Sequence, residues 1–433
     1  ERFKTNFIKT DVYKKIHNFL PIRILVAHKG IGKSAVFRMS YSENLKNNVL
    51  CIWVKPNDIL SIANTDYETN PLEMIRQWKS GLEELIVEKV AENFNEEDEK
   101  VKKIIKSGVK FTEQIGKIIK KVLDVVNIEP IKKSVANQYL KTHKIVIYID
   151  DLDRAWNGSK QNIYRISALL NAIRDMCNES DELCFRISLR SDVYYLVRTA
   201  DESTDKIDGN VLWLNWTEHE LLALLVKRVQ SYFGNNIPEK ELLNMDQQEM
   251  SSYLDVIMAN TFEGDGKWNN RPIRYIFLSL IRRRPRDLIN LCTLAARNAN
   301  ADGRNLIFTK DWEEVFEHYS LSRLQDTINE HKYELPDIER LLLGMKPSHD
   351  MKKTEKPFVY NKERLVHKIE GIMQNGKFYF ANERECTEDE LIAFMYKINF
   401  LNARKNMNGG FIDRKYFEDN KYITSSSVDF GYD

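Results

Sequence analysis

Two apolar patterns alternate along the chain. Short continuous runs stand at Ile24-Leu25-Val26, Val49-Leu50-Cys51-Ile52-Trp53-Val54, Ile145-Val146-Ile147-Tyr148-Ile149 and Val211-Leu212-Trp213-Leu214-Asn215-Trp216. A further run, Cys184-Phe185-Arg186-Ile187-Ser188-Leu189, ends in the polar Arg190-Ser191-Asp192. Such runs, bounded by polar or turn-forming residues, read as buried strands. Between them apolar residues recur at helical spacing, as in Ile115, Ile118, Ile119, Val122 and Val126, or Ile166, Leu169, Leu170 and Ile173. Strands alternating with helices predict an α/β fold on a parallel sheet.

Local signals place the remaining elements. Val12, Ile16 and Leu20 predict a short lead-in helix ended by Pro21. Asn70-Pro71 offers a cap and a first-turn proline, opening a helical insertion over 70–143. Thr217-Glu218-His219-Glu220 is a capping box before Leu221, Leu225 and Val229, with a stop expected at Gly234. The stretch 218–325 reads as helix throughout, one helix starting at Pro285. Thr387-Glu388-Asp389-Glu390 caps another helix, and Asn408-Gly409-Gly410 predicts a hairpin turn into Phe411-Ile412. Helices followed by a hairpin suggest a winged-helix-like end, expected to pack rather than bind DNA because its helix lacks a basic run. The expected domains are a core over 1–217, a helical lid over 218–325 and the winged-helix-like part over 326–433.

The first strand leads into Ala27-His28-Lys29-Gly30-Ile31-Gly32-Lys33-Ser34-Ala35, and a helix follows. Strand, glycine loop, Lys-Ser and helix make a P-loop, with Ala27 where the pattern usually has its first glycine. The glycines let successive N–H groups turn toward phosphate oxygens, and the helix start adds unpaired donors. Lys33 is expected on the β- and γ-phosphates and the Ser34 hydroxyl on Mg²⁺.

The strand Ile145–Ile149 ends in Asp150-Asp151-Leu152-Asp153-Arg154. Paired acids at a strand end are common as a mere turn. Beside a P-loop, the first acid holds Mg²⁺ and the second prepares the attacking water. Asp150 and Asp151 take those roles. Arg190 is a candidate γ-phosphate sensor or, alternatively, a surface arginine paired with Asp192. Arg286, within Arg284-Pro285-Arg286-Asp287, is either a lid arginine reaching the nucleotide or a basic helix start neutralised by Asp287.

Bulk properties narrow the class without naming a ligand. With 42% apolar and 30% charged residues, the 433-residue chain has the balance of a soluble globular protein. A net charge of +1 gives no global case for nucleic acid. The lysine-rich stretch from Lys100 to Lys144 reads as the solvated face of the insertion in preference to a phosphate-binding surface. No apolar run approaches the ~20 residues that span a bilayer. Scattered cysteines without C-x-x-C spacing fit reduced thiols in a cytosolic protein. Starting at Glu1 rather than Met suggests that native residues precede it.

Together, Gly30-Ile31-Gly32-Lys33-Ser34-Ala35, Ile149-Asp150-Asp151-Leu152-Asp153-Arg154, Leu189-Arg190-Ser191-Asp192 and Arg284-Pro285-Arg286-Asp287 resemble the AAA+-related P-loop ATPases of the STAND and KAP groups. The resemblance implies an additional-strand ATPase core, a helical lid, a winged helix, ATP as nucleotide and ATP-dependent assembly. It also implies a place in bacterial anti-phage defence, with a homo-oligomer or a separate effector protein as partner. Arg154, Arg190 and Arg286 are the candidates for stabilising transition-state charge. The rival expectations are a nucleic-acid-binding scaffold locked by ATP and a DNA-remodelling loader.

Overall fold

The computed structural model describes residues 2–63, 70–94, 110–124, 129–154, 156–265, 268–353, 358–406 and 412–420. Val126, Asn408-Gly409-Gly410-Phe411 and the lysine-rich stretch up to Val109 lie outside the described residues. The chain divides into two compact units, Glu1–Asn260 with Arg271–Asn290, and Thr261–Asn270 with Leu291–Asp433.

In the first unit the apolar runs form strands β1 (Ile22–Ala27), β2 (Leu50–Val54), β3 (Ile145–Ile149), β4 (Leu183–Arg190) and β5 (Val211–Trp213). All pair in parallel in the order β2-β3-β4-β1-β5. β4 thus lies between the P-loop strand and the acid-bearing strand, the arrangement of an additional-strand P-loop core. Ile24, Leu25 and Val26 on β1 and every residue of β3 are buried, because helices cover both faces. The last strand ends at Trp213 rather than Trp216, although Leu214 N still donates to Val26 O at 3.0 Å.

The helices of this unit include α1 (Asp11–His17), α2 (Lys33–Lys46), α3 (Pro71–Asn93), α4 (Phe111–Leu123), α5 (Pro130–Thr142), α6 (Lys160–Glu179), α7 (Ser191–Ala200), α8 (Glu218–Tyr232) and α9 (Ile273–Leu280). The expected caps form: Asn70 accepts from Glu73 N, and Thr217 with Glu220 closes a capping box. In the insertion, α3 packs on α6 and α4, and α4 packs on α5. Ile115, Ile118, Ile119 and Val122 join the sheet's core, while Lys117 and Lys120 stay exposed. That is a solvated lysine face on an amphipathic helix.

Two helical expectations fail. Leu20 is not on the lead-in helix, which ends at His17, and Leu20 is 44% exposed. The buried Arg186 of β4 takes the local carbonyls instead, donating to Ile16 O at 2.7 Å, to Leu20 O at 2.9 Å and to Asn18 O. Nor is 218–325 helical throughout, since Thr261-Phe262 and Arg271-Pro272 are extended. Asn270 holds φ +58 and Pro272 lacks an N–H, and both interrupt a helix.

Helix α10 (Pro285–Ala301) starts at the expected proline, and its residues up to Asn290 belong to the first unit. The second unit holds α11 (Thr309–His331), α12 (Ile338–Gly344), α13 (Lys362–Met373) and α14 (Glu388–Lys397). Strands β6 (Ala403–Asn406) and β7 (Ile412–Lys415) then pair antiparallel. Ile338, Leu341, Ile369, Phe378, Leu391 and Met395 build its core. This part is thus helices followed by an antiparallel strand pair.

One buried side chain fixes the P-loop helix to the acid strand. The Tyr148 hydroxyl on β3 bonds Ser40 Oγ at 2.8 Å and accepts from Asn44 Nδ2 at 2.9 Å, both on α2. Tyr148→Phe removes that hydroxyl and leaves the two α2 groups buried. The expected loss is about 1–3 kcal/mol, read as a lower unfolding midpoint in urea. An unchanged midpoint would mean that the helix is held elsewhere.

Candidate functional site

The loop after β1 turns into α2 at two left-handed glycines, Gly30 at φ +87 and Gly32 at φ +111. Gly32 is the N-cap of α2 and makes no side-chain cap hydrogen bond, while Ala35 N donates to Gly32 O at 3.0 Å. Lys33 folds back, its Nζ donating to Ala27 O at 3.2 Å. Lys29 and Ser34 are exposed, whereas Ala27 and His28 are buried. Three contacts brace the loop from outside. His28 Nδ1 lies 2.9 Å from Ser191 Oγ, Trp216 Nε1 donates to Ile31 O at 2.9 Å, and Arg286 N donates to Gly30 O at 3.3 Å.

The second half of the site is the turn after β3. Asp150 is 7% exposed and accepts from the Ser188 hydroxyl of β4. The register explains this contact, since Ile149 pairs with Ile187 and places the next residue of each strand side by side. Asp151 then reverses the chain at φ +64, its N–H reaching Ser188 Oγ at 3.4 Å. Partial burial raises the Asp151 pKa above the ordinary carboxylate value, and Asp153 and Asp150 add to the rise. Arg154 and Lys33 oppose it, so the P-loop lysine and the acid turn feel each other's charge.

The arginines separate. Arg190 is clamped by Asp192 at 3.0 and 2.6 Å and lies 3.6 Å from Asp153. The pairing with Asp192 is therefore present. Arg286 is exposed in the first turn of α10, its side chain against Gly30, and Asp287 makes an ion pair with Arg282 at 3.5 Å. Arg154 is exposed beyond the acid turn.

Sequence reasoning passed over Ser188, Ser191 and Trp216. Ser188 left a signal, a hydroxyl in an otherwise apolar run. Nothing local marked Trp216, whose partner lies 185 residues away.

The donor set fits a nucleoside triphosphate with Mg²⁺. An uncapped helix start, two left-handed glycines and an ammonium suit phosphate oxygens. A serine hydroxyl and a buried, oriented carboxylate suit a hard divalent cation.

Residues 219–328 match the family described as the FunZ-associated C-terminal helical domain. No curated protein matches the chain. Among solved structures, the Aeropyrum pernix ORC2 protein in its ADPNP–ADP complexes is similar at 12% identity and a TM-score of 0.42, over 88% of this chain and 81% of that one. Its ADP form gives 12% identity and a TM-score of 0.37, over 91% and 94%. The Thermotoga maritima RuvB Holliday junction branch migration motor gives 13% identity and a TM-score of 0.33, over 71% and 68%.

The loop geometry is testable without nucleotide. Gly30→Ala puts a side chain at φ +87, 3.3 Å from the Arg286 Cβ. A left-handed non-glycine residue costs roughly 1–2 kcal/mol, so the melting temperature should fall. Gly209→Ala, whose Cβ meets nothing within 4 Å, should leave it unchanged.

Proposed function

We propose that the protein binds and hydrolyses ATP with Mg²⁺ and works as a molecular switch. One observation carries this reading. The glycine loop and Lys33 open α2 within electrostatic reach of Asp151, which follows a buried carboxylate held by Ser188. The P-loop amides from His28 to Ala35 and the Lys33 ammonium hold the phosphates. Ser34 and Asp150 would hold Mg²⁺, which would supply positive charge to offset that of the phosphates. Asp151, made more basic by its surroundings, orients the water for in-line attack and accepts its proton. Arg286, already against Gly30, is placed to add charge when phosphate is present. Arg190 does so if it leaves Asp192, and Arg154 from the far side of the turn.

As a switch, the ATPase acts through assembly or a partner effector. The resemblance to STAND and KAP ATPases supports a sensor role in bacterial anti-phage defence. Among the described residues, no helix is long and apolar enough to cross a membrane.

Three substitutions test the roles. Lys33→Ala should abolish tight ATP binding while the melting temperature holds, because a half-buried ammonium contributes little core. Asp150→Ala should weaken Mg²⁺-dependent binding. Asp151→Asn should keep binding and slow hydrolysis about 100-fold, as for loss of a general base. Unchanged ATP affinity in Lys33→Ala sinks the site, and equal loss of binding in both acid variants overturns the division between them.

A further inference from the structure

A cavity of about 180 Å³ lies within the first unit, beside the acid turn. It sits past the ends of β2 and β3: Leu60 follows the first, and Leu152, Arg154 and Trp156 follow the second. Trp78 of α3 and Arg165 of α6 complete the wall. Two strand spacings, about 10 Å of sheet, separate the end of β3 from the P-loop strand β1.

The wall has a definite chemistry. Trp78 is 2% exposed and lies under the Arg165 guanidinium, 5.1 Å from ring centroid to Cζ. Arg165 spends Nη2 on the carbonyls of Ile59, Leu60 and Ile62, at 2.6, 3.1 and 3.0 Å. Its Nε and the Trp78 Nε1 are buried donors with no hydrogen-bond partner among the described residues. Such groups are costly to leave unmade and rare in native interiors. None of the described residues lining the cavity is acidic. Indole and aliphatic side chains and two guanidinium groups therefore surround one ring-sized space. An apolar cavity of about 150 Å³ already holds benzene.

We propose that this cavity is a second binding site, for a small aromatic carboxylate. The ring packs between the indoles, and the carboxylate meets the positive charge of Arg154 and Arg165. Leu152 and Arg154 belong both to the cavity wall and to the turn that carries Asp150 and Asp151. Occupancy thus bears on that turn directly. The site stands apart from the ATP reading, and its test needs no nucleotide.

The full chain is titrated, nucleotide-free, with benzoate and with the charge-reversed benzylamine, by calorimetry and ligand-observed NMR. Benzoate should bind saturably with one site per chain, and benzylamine should not. Trp78→Phe removes the indole donor. Leu60→Trp fills the space from a residue that is 59% exposed. Each should weaken benzoate at least about tenfold. Absence of saturable benzoate binding, equal binding of benzylamine, or unchanged affinity in either folded variant overturns the proposal. If Trp78→Phe does not fold, Leu60→Trp decides it.

Discussion

The candidate site depends on the register of a parallel ladder. A carboxylate buried at a strand end needs a hydrogen-bond donor, or its desolvation makes it intolerable. β4 supplies that donor because Ile187 pairs with Ile149, which brings the Ser188 hydroxyl to Asp150. The same strand aligns Leu25 with Ser188 and Ala27 with Arg190, so the glycine loop leaves β1 at the same edge. A slip of one residue would point Ser188 to the other face and leave Asp150 without its donor. The middle strand is thus the ruler for both halves of the site.

Around that ladder, polar side chains do the fastening that apolar packing cannot. Tyr148 ties α2 to β3 through Ser40 and Asn44, and Trp216 ties the loop to the chain after β5 through Ile31 O. Hydrophobic burial is non-directional and tolerates sliding. A hydrogen bond at 2.8 or 2.9 Å fixes where a helix start sits against a strand end. Phosphate recognition by backbone amides demands that kind of placement.

The sheet and the glycine loop were legible in the sequence because their signals are contiguous. Apolar runs such as Ile145–Ile149 admit little besides a buried strand, and Gly30-Ile31-Gly32-Lys33-Ser34 carries its own geometry. What stayed hidden was pairing across distance. Ser188 stood out as polar, but nothing local showed that Asp150 was its partner. Leu20 continued a helical spacing that the chain abandons, since Arg186, far along the sequence, takes the carbonyls there. The stretch near Asn270 and Pro272 misled for the opposite reason: helical neighbours on both sides hid a local break.

Arg186 has a consequence for how this protein tolerates change. Its guanidinium binds the backbone carbonyls of Ile16, Asn18 and Leu20, not their side chains. A carbonyl is the same whatever residue bears it. Phe19 and Leu20 are also nearly half exposed, so their identities answer to little inside the fold. The joint is therefore lopsided as a target for drift. Substitutions can accumulate at 19 and 20 while this attachment persists, and the arm's other ties, Tyr13 to Glu43 and Lys227 Nζ to Phe7 O, lie elsewhere along it.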